Sequence, residues 1–249
     1  MPKDPPGLHT LDHPGGSPAL LMLNGAFGTV RNWDRVVQRL AGKYRTVRFD
    51  ARARGKSGTS ADYSVAAAVE DVGRVMQATG LTRPVLVGWS HGATLAVRYA
   101  AQHPDQVAGL VLIDGAYPVV SLDEAAQERA RAQFRRLGWI MRILAMFGRS
   151  ARLSPDEAAD VVIEMDQVNG SLGADFAALQ CPAVFVVGTG AHSGATAEEM
   201  STLRASVTEA TARNSRVSVF ATTPCNHVQI LRKAPDIVVA AIDAVVQQS

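Results

Sequence analysis

The chain has 249 residues, 47% of them hydrophobic, which is enough to bury one large core and leave material for a small lid. Its formal net charge is only +2, with both signs interspersed, so charge gives no reason to expect nucleic acid as a partner. The two distant cysteines favour a reducing, cytoplasmic setting, the N-terminus shows no apolar signal segment, and the apolar runs are too short for a membrane span.

Short apolar runs bounded by turn residues predict a series of buried strands. In chain order these runs are 19–23, 46–49, 85–87, 110–113, 183–187 and 217–220. The early stretch "GLHTLDH" is a candidate for one further, antiparallel strand. Helical patterns lie between most of the strands: one ends at Gly42, and another runs from an N-cap at Ser64 to Gly80. This alternation predicts an α/β fold with a mostly parallel central sheet and helices on both faces.

The alternation stops between residues 121 and 180, where the pattern is helical and is interrupted by Pro155 and Gly170. Four apolar residues follow the spacing of one helix face: Phe134, Leu137, Met141 and Leu144. Seven arginines between positions 129 and 152 occupy most of the remaining surface of this segment. The segment is either an amphipathic helix with a solvated basic face or a lid over a site. We therefore expect a core of 1–120 and 181–249 and a helical cap of 121–180.

The stretch "VLVGWSHGATLAVRYA" (85–100) places a serine directly after a predicted strand and before a helical pattern. Gly88 and Gly92 stand two residues to either side of Ser90, which gives the spacing G-x-S-x-G. In such a tight turn larger side chains would collide, and the serine hydroxyl stands exposed above the sheet. The backbone N–H of His91, at the start of the helix, would then face an anion forming on the substrate. The spacing alone occurs by chance, so the strand before it and the helix after it carry the interpretation.

Two further segments follow strands and therefore reach the same edge of the sheet. The glycine-rich loop "LNGAFG" (23–28) can offer the backbone N–H of Ala26 as a second donor to an oxyanion. His227, between the last strand and the closing helix, stands where a general base is needed. A phosphate-binding loop at "GKS" (55–57) is excluded because Asp50 occupies the position of its required glycine. "GTGAHSG" (188–194) likewise misses the dinucleotide-binding spacing.

With these motifs the chain resembles the α/β-hydrolase fold family over roughly 17–120 and 181–245. Residues 88–92 match the family's nucleophile elbow, and 50–57 match its D-x-R-G-x-G-x-S stretch, with Ala53 and Arg54 at the variable middle. "QHPDQVAGLVLID" and "NHVQILRKAPDIV" match the segments that lead into the sixth strand and into the last helix. Asn24 stands where many members have a histidine, which leaves the backbone donors intact. The resemblance implies a serine hydrolase fold without identifying a substrate.

The resemblance also directs the search for the catalytic acid. The family usually carries it after the seventh strand, but Ala191 occupies that position here, and no carboxylate follows until Glu198. A less common arrangement in the family places the acid at the end of the sixth strand, where Asp114 stands. We expect Asp114 to be the acid, with Glu198 as the alternative. Its role would be to hold the tautomer of His227 and stabilise the imidazolium.

Ser90, His227 and Asp114 together predict hydrolysis of an ester, lactone or thioester through an acyl-enzyme, without a metal or organic cofactor. Carbon–carbon bond hydrolysis of diketones and acyl transfer also remain open. A serine nucleophile argues against dehalogenase or epoxide hydrolase chemistry. The pocket is expected to take an apolar or acyl substrate and to involve Trp89, Phe27, Met141 and Phe147. The arginines leave open docking of an acidic acyl carrier protein, which would make the enzyme a chain-releasing thioesterase. A non-hydrolytic lyase or cyclase, or a small-molecule binding protein, also remains open, as does the oligomeric state.

Overall fold

A computed structural model describes residues 7–146, 151–190 and 197–249. Strands and helices alternate along the chain. The strands are β1 (Thr10–His13), β2 (Gly16–Leu23), β3 (Tyr44–Phe49), β4 (Val85–Trp89), β5 (Gly109–Ile113), β6 (Ala183–Gly188) and β7 (Val217–Thr223). The helices are α1 (Asp34–Leu40), α2 (Val65–Thr79), α3 (His91–Gln102), α4 (Glu124–Met146), α5 (Pro155–Ala178), α6 (Ala197–Arg213), α7 (Ile230–Lys233) and α8 (Pro235–Val246).

Within the described residues the strands form one seven-stranded sheet in the order β1-β3-β2-β4-β5-β6-β7. β1 pairs antiparallel with β3, and the pairs between the other neighbouring strands are parallel. The predicted α/β class and the additional antiparallel strand are both confirmed. Because β4 lies at the centre with β2 and β5 on either side, the ends of these three strands meet at one edge.

The central strands β4, β5 and β6 are buried on both faces, which explains why they read as continuous apolar runs. On one face Leu86 and Leu112 pack in a cluster with α2, α3, α5 and α6. On the other face Val87 and Ile113 pack with α1 and α8. In the described parts of the chain, no helix is both long and apolar enough to cross a membrane.

Local capping decides where several helices begin and end. Ser64 caps α2 by accepting a hydrogen bond from the N–H of Ala67, and Gly80 ends the helix in the left-handed conformation, as predicted. The predicted end at Gly42 is wrong by one residue, because Ala41 takes the left-handed conformation after α1. Gly170 does not interrupt α5. A Cβ at Gly170 would lie 2.3 Å from Cγ2 of Val120, so this glycine allows close packing inside the helix.

α4 and α5 lie between β5 and β6, in the segment for which a helical pattern was predicted. Phe134 and Met141 of α4 pack against a small buried cluster that includes Ala53 and Leu153. Leu144 does not share that face, because its side chain is exposed. The opposite side of α4 exposes large apolar side chains: Trp139, Ile140, Ile143 and Met146.

Candidate active site

Ser90 forms the turn between β4 and α3. Its backbone has φ 56° and ψ −123°, a strained conformation for a residue with a side chain. The Ser90 N–H donates to the carbonyl of Ile113 at 2.9 Å, and its own carbonyl accepts from the N–H of Ala93 at 2.9 Å. The surrounding backbone therefore holds the strained turn in place.

The two glycines of the elbow are required by close backbone contacts. A Cβ at Gly88 would lie 2.4 Å from the carbonyl oxygen of Gly92. A Cβ at Gly92 would lie 2.1 Å from the carbonyl oxygen of Leu23, at the end of β2. Both distances are far below van der Waals contact. The spacing predicted from the sequence thus has a steric cause on either side of Ser90.

The side chains of Ser90, His227 and Asp114 are joined by two hydrogen bonds. Nε2 of His227 lies 2.9 Å from Oγ of Ser90, and Nδ1 lies 2.9 Å from Oδ2 of Asp114. His227 belongs to the turn between β7 and α7, and its backbone carbonyl accepts a hydrogen bond from the indole N–H of Trp89 at 3.1 Å. An imidazole held this way can accept a proton from the hydroxyl while its other nitrogen faces the carboxylate.

The carboxylate oxygen of Asp114 that does not contact His227, Oδ1, accepts two hydrogen bonds. Its side chain is fully buried, and Oδ1 accepts from the hydroxyl of Tyr117 at 2.5 Å and from the N–H of Gly188 at 3.0 Å. Burial, with the Asp114 charge second, raises the pKa of Tyr117 well above its ordinary value, so the phenol stays a donor. These contacts leave Oδ2 directed at His227. No sequence motif marked Tyr117, and Gly188 was noted only as part of a loop.

The loop 23–28 lies directly against the serine. A Cβ at Gly25 would lie 3.1 Å from the ring of Trp89 and 3.2 Å from Cβ of Ser90. Ala26 lies in this loop, and His91 opens α3 directly after Ser90. Among the described turns and loops, neither of their N–H groups donates to a backbone carbonyl.

The side chain of His91, the residue after Ser90, is buried. Burial, with the Arg54 charge second, lowers its pKa from 6.5 to about 3. Its Nε2 has no partner within the described residues. Burial thus favours the neutral form of this imidazole near pH 7.

The remaining predicted residues are distributed around this centre. Phe27, in the oxyanion loop, lies with its ring centroid 5.4 Å from that of Phe134 on α4, in the group that also includes Met141. Trp89 is almost fully buried beside the ring of His227. Glu198 is exposed near the start of α6, whereas Asp114 contacts His227. Phe147 lies outside the described residues.

Comparisons with known proteins agree with this architecture. A family model described as "alpha/beta hydrolase fold" matches residues 18–158. A fluoroacetate dehalogenase of Burkholderia sp is 35% identical over 124 residues, which cover 47% of this chain and 41% of that protein. An N-formylmaleamate deformylase of Pseudomonas putida is 35% identical over 108 residues, which cover 43% and 40%. The matched region thus spans about two fifths of these curated relatives.

The structural likeness extends over nearly the whole chain. A structure from a study of carboxylesterases of Nitrososphaera gargenis superposes with a TM-score of 0.78, covering 99% of this chain and 97% of that one. Its sequence identity is 16%, so this likeness shows the fold alone.

Proposed function

The chain belongs to the α/β-hydrolase fold family, and on that premise we propose that it is a serine hydrolase that cleaves a carboxylic ester, lactone or thioester. The observation that carries the proposal is the pair of 2.9 Å contacts joining Ser90 to His227 and His227 to Asp114. The three side chains leave the carboxyl ends of β4, β7 and β5, where ligands of such sheets bind.

The reaction begins with attack of Ser90 Oγ on the carbonyl carbon while its proton passes to Nε2 of His227. The carbonyl oxygen becomes an oxyanion that accepts hydrogen bonds from the N–H groups of Ala26 and His91. Collapse of this intermediate expels the alcohol or thiol, which takes the proton from His227 and leaves the acyl group on Ser90. His227 then deprotonates a water that attacks the acyl-enzyme. Release of the carboxylic acid returns the proton to Ser90.

Each group has a separate energetic task. One oxyanion donor contributes roughly 3–4 kcal/mol of barrier reduction in enzymes of this kind. The buried Asp114 fixes the tautomer of His227 and stabilises the imidazolium as it forms. The strained backbone of Ser90 keeps the hydroxyl at the mouth of the turn rather than in the core.

A hydroxyl nucleophile favours acyl transfer over the reaction named for the dehalogenase relative. The name of the deformylase relative describes removal of an acyl group, which agrees with the chemistry proposed here. We take cleavage of an acyl bond as the activity of this chain and leave the leaving group to experiment.

We further propose that α4 and α5 form the cap predicted from the sequence and line the acyl pocket. The contact between Phe27 and Phe134 supports this, because it joins α4 to the loop that carries the oxyanion donor. The apolar character of Phe134 and Met141 favours an apolar acyl group.

Docking of an acidic carrier protein receives less support. Arg131 and Arg135 of α4 form ion pairs with Asp160 and Asp156 of α5, at 2.6 Å and 3.0 Å. Arg152 donates to the backbone carbonyls of Gly55 and Ser57. Because several arginines are already engaged within the chain, a free small ester is the better match.

The deciding experiment is reaction of the purified protein with a fluorophosphonate, followed by mass spectrometry and peptide mapping. The proposal predicts one adduct, on Ser90, and none on a Ser90→Ala variant. A panel of p-nitrophenyl esters, lactones and acyl thioesters then ranks the substrate classes. Intact, folded protein that forms no adduct and cleaves none of these substrates would favour a binding or non-covalent role instead.

A further inference from the structure

Arg54 is a buried cation whose contacts are made with carbonyl groups. It is 4% exposed, and within the described residues it forms no ion pair with a carboxylate. Its Nε donates to the carbonyl of Ala26 at 2.8 Å, and its Nη1 donates to the carbonyl of Arg52 at 2.7 Å. Burial lowers its pKa from 12.5 to about 10. A buried charge without a counter-charge is costly, so these two carbonyl contacts must offset part of the cost of burying the guanidinium.

The neighbouring Arg52 shows what a purely structural arginine looks like in this segment. It forms a two-point ion pair with Asp71 of α2, at 2.7 Å and 3.0 Å. It also donates to the carbonyls of Asp62 and Ala67. These contacts fix Arg52 to α2. The carbonyl of Arg52 in turn accepts the hydrogen bond from Nη1 of Arg54, while Nε of Arg54 donates to Ala26 in the loop 23–28.

The backbone between the two arginines is fastened on both sides. Ala53 has φ 59°, its N–H donates to Gly58, and its carbonyl accepts from the N–H of Arg152. The N–H of Arg54 donates to the carbonyl of Ala51 at 2.9 Å. The guanidinium of Arg54 is therefore presented to Ala26 from a rigid turn.

We propose that Arg54 is a positioning residue of the oxyanion hole, which holds the carbonyl of Ala26 and so orients the N–H on the same residue. The inference rests on the proposed function. The carbonyl and the N–H of Ala26 lie in adjacent peptide planes that share the Ala26 Cα. Anchoring the carbonyl fixes one of these planes and limits how far the other can move with the loop. The guanidinium also places a positive charge beside the position where negative charge develops in the transition state.

Two observations support action through the loop. The Arg54 charge is the second cause, after burial, of the lowered pKa of His91, so its field reaches the residue that carries the other donor. The cavity lined by Arg54, Ala26 and His91 has a volume of about 20 Å³. This is room for one water and not for a substrate group. Arg54 therefore acts on the reaction through Ala26 rather than by touching substrate.

The test compares Arg54→Met and Arg54→Lys with Arg216→Met, an exposed arginine next to the start of β7. We measure kcat and KM on an ester, the rate of fluorophosphonate labelling and the melting temperature. We expect Arg54→Met to lower kcat and the labelling rate by roughly 10- to 100-fold with KM nearly unchanged, as for loss of a charged hydrogen bond. Arg54→Lys keeps the charge and one donor, so it should recover most of the loss. Should Arg54→Met not fold, Arg54→Gln, which keeps a neutral donor but loses the charge, takes its place and should show the same loss of kcat.

Each other result overturns the inference in a distinguishable way. A lower melting temperature with unchanged kcat would assign Arg54 a structural role only. A raised KM with unchanged kcat would make it a substrate-binding residue. If the wild type itself neither hydrolyses esters nor reacts with the probe, the proposed function fails and the inference with it. If the wild type is active and Arg54→Met behaves as Arg216→Met, the Arg54 inference alone fails.

Discussion

Ser90 and Ile113 are joined by a backbone hydrogen bond of 2.9 Å, so the turn that carries Ser90 is fastened to the strand that ends immediately before Asp114. Trp89 on β4 and Ile113 on β5 lie opposite each other in the sheet. Ser90 and Asp114 follow them directly, so these two residues leave the sheet side by side. Asp114 in turn donates its N–H to Val186 of β6 at 2.9 Å. A carboxylate at the end of β5 is therefore close enough to serve the same histidine as the serine.

Replacement of Asp114 by asparagine should lower turnover by about 10⁴-fold, because the amide favours the wrong tautomer of His227. The matched control is Glu198→Gln, which alters an exposed side chain and should leave turnover unchanged. Turnover of a p-nitrophenyl ester by both variants, with circular dichroism to verify folding, checks the assignment. An active Asp114→Asn beside an inactive Glu198→Gln would transfer the role to Glu198.

Replacement of Ser90 by alanine should reduce turnover by at least ~10⁴-fold while leaving the fold intact. Alanine removes the hydroxyl but keeps the backbone hydrogen bonds to Ile113 and Ala93 that hold the turn. Steady-state assays on the best ester of the panel, with thermal melting, measure both effects. Ester cleavage near the wild-type rate by this variant would show that Ser90 is not the nucleophile.

Replacement of Tyr117 by phenylalanine should lower kcat by up to roughly tenfold. Oδ1 of Asp114 then keeps only the N–H of Gly188 as a donor, so the carboxylate is held less firmly in the orientation that directs Oδ2 at His227. Steady-state kinetics on a p-nitrophenyl ester, with thermal melting to verify folding, measure the effect.

The control is Tyr99→Phe, which removes a hydrogen bond to Gln106. It should leave kcat unchanged. A folded Tyr117→Phe variant with wild-type kcat would contradict the role assigned to Tyr117.

Replacement of Gly92 by alanine should destabilise the protein by several kcal/mol, because the new Cβ would lie 2.1 Å from the carbonyl of Leu23. Gly80→Ala is the comparison: Gly80 has φ 62° and open space, so alanine there adds only the left-handed strain of roughly 1–2 kcal/mol. Urea unfolding of both variants gives the difference. Equal losses would mean that the contact between β2 and the elbow relaxes without cost.

Stability should fall as pH decreases from about 6.5 towards 3, in part because of His91. Its pKa is lowered from 6.5 to about 3 in the folded state, chiefly by burial. Across this window the unfolded chain binds a proton at His91 that the folded chain does not, so the contribution of His91 is complete above pH 6.5 and is lost below it. In His91→Gln the free energy of unfolding should depend less steeply on pH between 6.5 and 4. Identical slopes in wild type and variant would contradict this.

The pattern of apolar residues along the chain predicts the strands that are buried along their whole length. The strands that end at Leu23, Trp89 and Ile113 are buried on both faces, so their apolar runs are visible in the sequence. α6 cannot be predicted from the pattern of apolar residues. Ala197–Arg213 is rich in small and polar residues and shows no clear apolar face. Gly170 was read as an interruption because its packing against Val120 joins parts of the chain that are distant in sequence.

The candidate site divides in the same way. Ser90, His227 and Asp114 each follow an apolar run that the sequence predicts as a strand. The strands before Ser90 and His227 extend to Trp89 and Thr223 rather than ending at residues 87 and 220. Tyr117 and Arg54 were not assigned roles, since their significance comes from contacts with Asp114 and Ala26 that depend on how loops turn after the strands. Arg54 even stands at a variable position of the recognised motif, where a sequence alone gives no sign of its partner.

Gly188 meets Asp114 only through its backbone N–H. A Cβ at position 188 would lie 3.1 Å from Oδ2 of Asp114 and 3.0 Å from the carbonyl oxygen of Cys225. The absence of a side chain at this position thus lets the end of β6 approach the carboxylate closely enough for its backbone to donate. A larger residue there would have to displace either the carboxylate or the segment that leads to His227.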